Sequence, residues 1–494
     1  MKTAPFLRQS GGKRAAFVPA HLSSVRGNDT IRTSELGKES EFNMQKPAEN
    51  KMGVAPVGRL LFTMSVPMMI SMLVQALYNV VDSMYVSRVS EEALTALSMA
   101  FPLQNLMIAV ASGLGVGINA VLSRALGAKD DKQAHHAATN GIFLIALCAL
   151  TFTVLGIFIP RPFFRMQTDI GPIVEAGVSY TSIVMAGCFG LFMQVLFERL
   201  LQSTGRTTFT MLSQATGAVI NIILDPILIF GYMGLPAMGT AGAAVATIVG
   251  QWIAAGLGLY LNIRHNPEVS ISLFGFRPHG ATLHRISSIG VPSVVMISIG
   301  SVMTFLMNQI LISFSATAVA VFGVYFRLQS FIFMPIFGLN NGAVPIIAYN
   351  YGAKRSDRMT RAILLTVVSE MIIMTCGTLV FHLFPSQLLG LFDASEEMLR
   401  IGVPALRIIS LSFPIAGFCI GVGTSFQALG YSLYSMIISL VRQLFVLIPC
   451  AFIIGRITGE VTAVWWSFVI AEVFSLALSV FFFRRVNRNV IRTL

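Results

Sequence analysis

Five carboxylates stand inside long apolar runs of this chain: Asp82, Glu198, Asp225, Glu370 and Glu472. Arg327, Arg407 and Arg442 fall in such runs too. Ionisable groups at membrane depth are costly, so each is a candidate for function. Asp82 closes a polar stripe, because Ser71, Gln75, Tyr78, Asn79 and Asp82 recur at helical spacing and share one face. Leu73, Val74, Leu77, Val80 and Val81 take the other positions. Such a stripe must face protein or water, since lipid satisfies none of its groups. Interhelical hydrogen bonding is its bland use; a carboxylate within it favours a functional cavity. Asn221 and Asp225 are four residues apart on one helix face, and Pro226 follows at once. Proline cannot donate to the carbonyl of Ile222, which is left freer. Two carboxylates, an amide and a released carbonyl are oxygen ligands suited to a hard cation such as Na⁺. The same carboxylates could carry a proton instead. Whether the helix of Asp82 meets that of Asp225 is an inference at this point.

The remaining polar residues carry weaker signals. Glu198 is followed by Arg199, which suggests a local ion pair or a snorkelling side chain. Glu370 is isolated, about nine residues into its span. Glu472 is expected to pair with an arginine of the bundle. His135 and His136 sit at a loop-to-helix junction and read as solvated, while Trp465 and Trp466 fit an interfacial belt. The 25 Met and 37 Phe would suit an adaptable cavity, but equally suit helix packing. Cys148, Cys188, Cys376, Cys419 and Cys450 lie in apolar runs without metal-type spacing and read as small core residues. There is no phosphate loop of the G-x-x-x-x-G-K-[ST] kind, no H-E-x-x-H, and no Ser, His and Asp grouping at depth. An enzyme, and a cofactor, are therefore not expected.

The elements that position these residues follow from composition. Of 494 residues, 55% are hydrophobic and 11% charged, with a mean hydropathy of +0.75. Soluble domains carry about 25% charged residues, so a soluble enzyme, a disordered chain and a nucleic-acid binder are excluded. Residues 1–55 form a basic, polar tail without the apolar core of a secretory signal, read as a disordered cytoplasmic segment. Met44 or Met52 would serve as alternative starts. Spans of bilayer length are expected near 60–86, 93–122, 136–160, 171–199, 207–232 and 239–263. A second set lies near 286–313, 318–346, 361–384, 397–424, 432–455 and 461–483. Loops and the C-terminus on the tail's side hold sixteen Lys or Arg, against Arg88, Arg161, Arg165 and Arg456 opposite. The asymmetry places both termini in the cytoplasm of a multi-pass protein of the cell (inner or plasma) membrane. The net charge of +12 is thus an orientation signal, and no nucleic-acid partner is expected.

An internal repeat recurs at an offset of 225 residues. Val66-Pro67 returns as Val291-Pro292, Gly113-Leu114 as Gly338-Leu339, Gly127-Ala128-Lys129 as Gly352-Ala353-Lys354, and Gln202 with Gly205 as Gln427 with Gly430. Each unit has six spans, an even number, so the repeat is parallel. The fold class expected is an all-α polytopic membrane protein of twelve helices in two six-helix lobes related by a parallel pseudo-two-fold axis. The N-terminal lobe would occupy 56–264, a cytoplasmic linker 265–284, and the C-terminal lobe 285–494. At the offset of 225, Met307 and Cys450 replace Asp82 and Asp225, so the acids belong to the first lobe alone.

These residues in this order resemble the multidrug and toxic compound extrusion (MATE) transporters of the prokaryotic type, within the multidrug/oligosaccharidyl-lipid/polysaccharide exporter superfamily. The resemblance covers about residues 58–490. It is carried by Val66-Pro67, Tyr78-Asn79-Val80-Val81-Asp82, Gly127-Ala128-Lys129-Asp130, Asn221-Ile222-Ile223-Leu224-Asp225-Pro226 and the Gly239 to Thr247 run. It implies a secondary active antiporter that exports organic, cationic or amphipathic compounds against inward H⁺ or Na⁺ by alternating access. Coupling would fall on Asp82, Asn221, Asp225 and Thr247, with Pro67 bending the first helix and Gln75, Tyr78 and Asn79 lining the cavity. Acids in spans 7 and 10, used by another branch, are absent. The implied partners are small organic substrates and membrane lipid, with no metal beyond Na⁺ at the coupling site, and a monomeric state. The alternative is a lipid-linked oligosaccharide flippase of the same superfamily, for which a more cationic cavity is expected.

Overall fold

The computed structural model describes residues 50–269, 271 and 276–494. Every regular element among them is a helix. The first six spans are α1 Val57–Ser87, α2 Glu91–Gly127, α3 Asp131–Phe158, α4, α5 Thr207–Phe230 and α6 Thr240–His265. The second six are α7 Gly280–Ile312, α8 Ala316–Gly352, α9 Ser356–Leu383, α10, α11 Ser432–Thr458 and α12 Val461–Thr493. Two of them are broken. α4 joins Gly171–Ala186 to Phe189–Ser203 at 45°, and α10 joins Glu396–Ser410 to Phe413–Leu429 at 46°. The twelve spans expected from hydropathy are present, as two halves of six.

The repeat reaches down to the backbone. α2 and α8 begin and end 225 residues apart, as do α3 and α9. Ser90 and Ser315 cap α2 and α8 identically, each hydroxyl accepting from the backbone N–H three residues on at 3.0 Å. Lys129 and Lys354 share the left-handed conformation, at φ 56° and 55°. Burial keeps the same register until α11, where a π-helical stretch, Val441–Leu447, inserts one residue. Buried Asn221 and Asp225 of α5 therefore correspond to buried Leu447 and Ala451 of α11. The counterpart of Asp225 is Ala451, not Cys450 as a constant offset gives. Neither is an acid.

Across the two halves, α2 packs on α7 and α1 on α8. Glycines permit this approach in matched pairs. A Cβ on Gly117 would lie 2.4 Å from the Ile286 carbonyl oxygen, and one on its counterpart Gly342 would lie 2.9 Å from the Ser65 backbone. A Cβ on Gly127 would overlap the Tyr349 carbonyl, and one on Gly352 that of Arg124. The halves are thus sealed against each other near the end of the bundle where α1 begins.

Three further expectations need correction. The tail read as 1–55 lies outside the described residues up to 49, but its last residues are docked. Met52 is fully buried, Asn50 donates to the Thr204 carbonyl at 3.3 Å, and Arg358 donates to the Ala55 carbonyl at 2.6 Å. The strap at 50–55 therefore touches both halves of the bundle. Burial, then the nearby Arg206, holds the Lys51 ammonium below its ordinary range, with Glu268 opposing. Trp465 is not interfacial. It is fully buried and stacks on Phe322 at 6.3 Å, while Trp466, turned by one residue, is exposed. Among the cysteines, all free, Cys376 is exposed rather than in the core.

Candidate functional site

The first-half carboxylates are placed by α1, α5 and α6. α5 crosses α6 at two glycines: a Cβ on Gly250 would lie 2.7 Å from the Gly217 carbonyl oxygen, and one on Gly217 would lie 3.0 Å from that of Gly250. With no side chain between the backbones, the next turn of α5 brings Asn221 against α6. Its amide nitrogen lies 3.4 Å from both Asp225 Oδ1 and Thr247 Oγ1. With the amide turned over, the nitrogen donates to Asp225 Oδ2 at 3.3 Å and the oxygen accepts from the Thr247 N–H at 3.2 Å. In either orientation Asn221 links the carboxylate to α6. Asp225 is fully buried.

α1 packs on α5, which closes the arrangement that spacing alone left open. Gln214 of α5 donates to Gln75 of α1 at 2.9 Å. Asp82 is buried one helical turn beyond Tyr78, and its Oδ1 has no protein partner. The charge of Asp82 reaches Asp225, and both carboxylates act on the phenols of Tyr78 and Tyr180. Gln104 of α2 holds the Tyr180 hydroxyl at 2.7 Å. Between these helices lies a small cavity of about 50 Å³, lined among others by Gln75, Tyr78, Gln194, Gln214, Asn221 and Thr247. Its polar lining is amide, phenol and hydroxyl, Leu191, Ala218 and two glycines supply the apolar remainder, and two carboxylates stand beside it.

The expected residues are not all together. Asn221, Asp225 and Thr247 touch, and Gln75 and Tyr78 line the cavity. Asn79 does not, being exposed. At 100° per residue it is rotated well away from Tyr78. Pro67 lies fifteen residues before Asp82, about 22 Å along the helix, beside the seam with α8. Glu198 accepts from Gln194 at 2.9 Å, whereas Arg199 points elsewhere, to Gln202 at 2.8 Å and across the halves to Asn341 at 2.7 Å. The local pair expected from their adjacency is not formed, because consecutive residues on a helix do not face each other. Gln194, Gln214, Tyr180 and Gln104 went unnoticed in the sequence; the signal was an amide or phenol inside each apolar run. No group of three or more His, Cys, Asp or Glu among the described residues could hold a metal. A cation here would rely on carboxylate, amide and hydroxyl oxygens.

Comparison with known proteins completes the picture. The family model described as MatE matches residues 67–227 and again 292–453, so the two halves are recognised separately. The chain is 26% identical over 409 residues to the FAD transporter of Shewanella oneidensis, covering 82% of this chain and 90% of that protein. It is 26% identical over 424 residues to the multidrug export protein MepA of Staphylococcus aureus, covering 85% and 91%. Among solved structures it resembles a multidrug resistance MATE family transporter in an outward-facing conformation, with a TM-score of 0.84 and 26% identity. That match covers 90% of this chain and 99% of the other. A Pyrococcus furiosus transporter of the MOP superfamily, described as having a binding pocket of reversed polarity, matches equally well.

Proposed function

The chain belongs to the MatE family, and from that premise we propose that it is a secondary active antiporter exporting organic compounds against inward H⁺ or Na⁺. One observation carries this reading: two buried carboxylates in the first half share a site with Asn221 and Thr247, and in the second half the positions matching the two aspartates are Met307 and Ala451. An antiporter needs an ion site whose occupancy biases one conformation over the other; a ligand that binds both equally shifts nothing. With Asp82 Oδ1 unpartnered and Asp225 bonded only through Asn221, the site is poised to take a cation or protons. Filling it would draw α1, α5 and α6 together, and these helices border the cavity. The seal between the halves on the tail side, together with the likeness to an outward-facing relative, supports a state closed towards the cytoplasm. The sixteen-to-four distribution of basic residues supports cytoplasmic termini. The likeness to a multidrug exporter supports cationic or amphipathic substrates, while the flavin transporter named among the relatives extends the range to anionic ones. The test is ethidium export from proteoliposomes under an imposed H⁺ or Na⁺ gradient. Export that follows one gradient and stops when it is collapsed is expected; export indifferent to both would contradict antiport.

A further inference from the structure

The second half fills the place that the first half leaves hollow. The first-half cavity is floored by Gly217 and Gly250 and walled by Gln194 and Thr247. Their counterparts 225 residues on are Arg442, Ser475, Cys419 and Glu472. The register is confirmed by burial, since Ala246, Thr247, Gly250 and Ala254 are buried, as are Ala471, Glu472, Ser475 and Ser479. Where one half has bare backbone and a hydroxyl, the other has an ion pair: Arg442 Nη1 donates to Glu472 Oε1 at 2.7 Å. Tyr325 and Cys419 lie within reach of its charges. Arg442 stands on the π-helical stretch of α11, a geometry often found at functional sites.

Two details set this pair apart from a closed structural bridge. Arg442 keeps 22% of its side chain accessible, against 9% for Glu472. An arginine at this depth does not turn its free donors to lipid, so the open side is a water-reachable one. Beside it, Glu472 Oε2 is buried without a partner, and the hydroxyls of Ser475 and Ser479 face the Cys419 thiol, a weak partner. Residues 472, 475 and 479 share a helix face, and a helical side chain leans towards the preceding turn. The Ser475 hydroxyl can therefore turn from the thiol to donate to a Glu472 carboxylate released from the arginine, a stronger acceptor.

We infer that the Arg442–Glu472 pair is a latent anion site, in which the carboxylate or phosphate of an organic substrate takes the guanidinium while Glu472 moves to Ser475 and Ser479. Arg442 offers the fork of donors that fits either headgroup. The exchange keeps the local charge balanced by replacing one carboxylate with another anion. The inference deepens the exporter reading by naming a substrate chemistry, and it is tested by binding, so a failure of gradient-driven export would leave it standing.

The experiment is equilibrium binding of fluorescein to the purified full chain by fluorescence anisotropy, with ethidium as the cationic control. Arg442→Gln should weaken fluorescein binding roughly ten-fold or more, as expected for loss of a charge-assisted hydrogen bond. Glu472→Gln should strengthen it, because the internal competitor loses its charge. Ethidium binding should stay within about two-fold in both, by the additivity of distant sites. Displacement by benzoate or by phenyl phosphate identifies the preferred headgroup and supports the site. A wild-type chain that does not bind fluorescein, or a Glu472→Gln chain that binds it as poorly as Arg442→Gln, would overturn the proposal. If Arg442→Gln does not fold, Glu472→Gln alone decides, since a merely structural ion pair gives no gain in anion affinity.

Discussion

Asn221 is the residue on which the site turns. It reaches a carboxylate four residues along its own helix and Thr247, through the hydroxyl or the backbone N–H, on the neighbouring one, so its position couples α5 to α6. Thr247→Val keeps the shape of the threonine and removes only the hydroxyl. A net hydrogen bond is worth about 1 kcal/mol, so the driving-ion concentration for half-maximal export should rise roughly three- to ten-fold. An unchanged concentration dependence would place Thr247 outside the site. At this scale the sequence was legible where chemistry and spacing coincide. Asp82, Asn221 and Asp225 announce themselves because each is expensive in an apolar run. Gln194 and Gln214 do not, since a lone amide in such a run equally serves helix packing. Adjacent residues misled the reading for a common reason: Arg199 beside Glu198 and Trp465 beside Trp466 are turned by 100° from each other. One of each pair therefore meets surroundings that its neighbour does not.

The helices of the site are held by what their crossings lack. α5 and α6 meet at Gly217 and Gly250, and any side chain there would have to displace backbone. Gly250→Val should push α6 from α5 and separate Thr247 from Asn221, with an overpacking cost of about 1–3 kcal/mol. Export should be lost while the protein still reaches the membrane. Gly256→Ala, on the same helix with open space around it, should leave export unchanged. Loss in both, or in neither, would show that the crossing does not govern the site. The order and number of helices were readable because hydropathy and the 225-residue repeat reinforce each other. The π-helical insertion in α11 was not: one extra residue inside an apolar run leaves no break in composition. It moves the counterpart of Asp225 from Cys450 to Ala451, and only burial reveals it.

For the whole molecule, the strap at 50–55 and the glycine seams hold the halves together at the end where α1 begins. Arg355 and Asn350 also donate to it, the latter to the Met52 carbonyl at 3.2 Å. Removing residues 1–49 should leave export intact, whereas removal through Ala55 should loosen the seal. The readout is the labelling of Ser65→Cys in a background without other cysteines, by an impermeant maleimide applied from the cytoplasmic face. Ser65 is 1% exposed and sits against Gly342, so labelling should be slow until the strap is cut and then quicken several-fold. Equal rates in both truncations would mean that the strap is passive.

The central claim, that ion coupling resides in the first half alone, is tested most directly by gradient-driven ethidium export from proteoliposomes containing the Asp82→Asn, Asp225→Asn chain. Both changes preserve the shape of the side chains and remove the titratable group, so the fold and ethidium binding should persist. Glu370→Gln is the comparison: that carboxyl is buried and unpartnered in the second half, away from the cavity, and its loss should do less harm. The account predicts that the double variant binds ethidium but does not export it under either an H⁺ or a Na⁺ gradient. Normal gradient-driven export by that variant would contradict a coupling site built from Asp82 and Asp225.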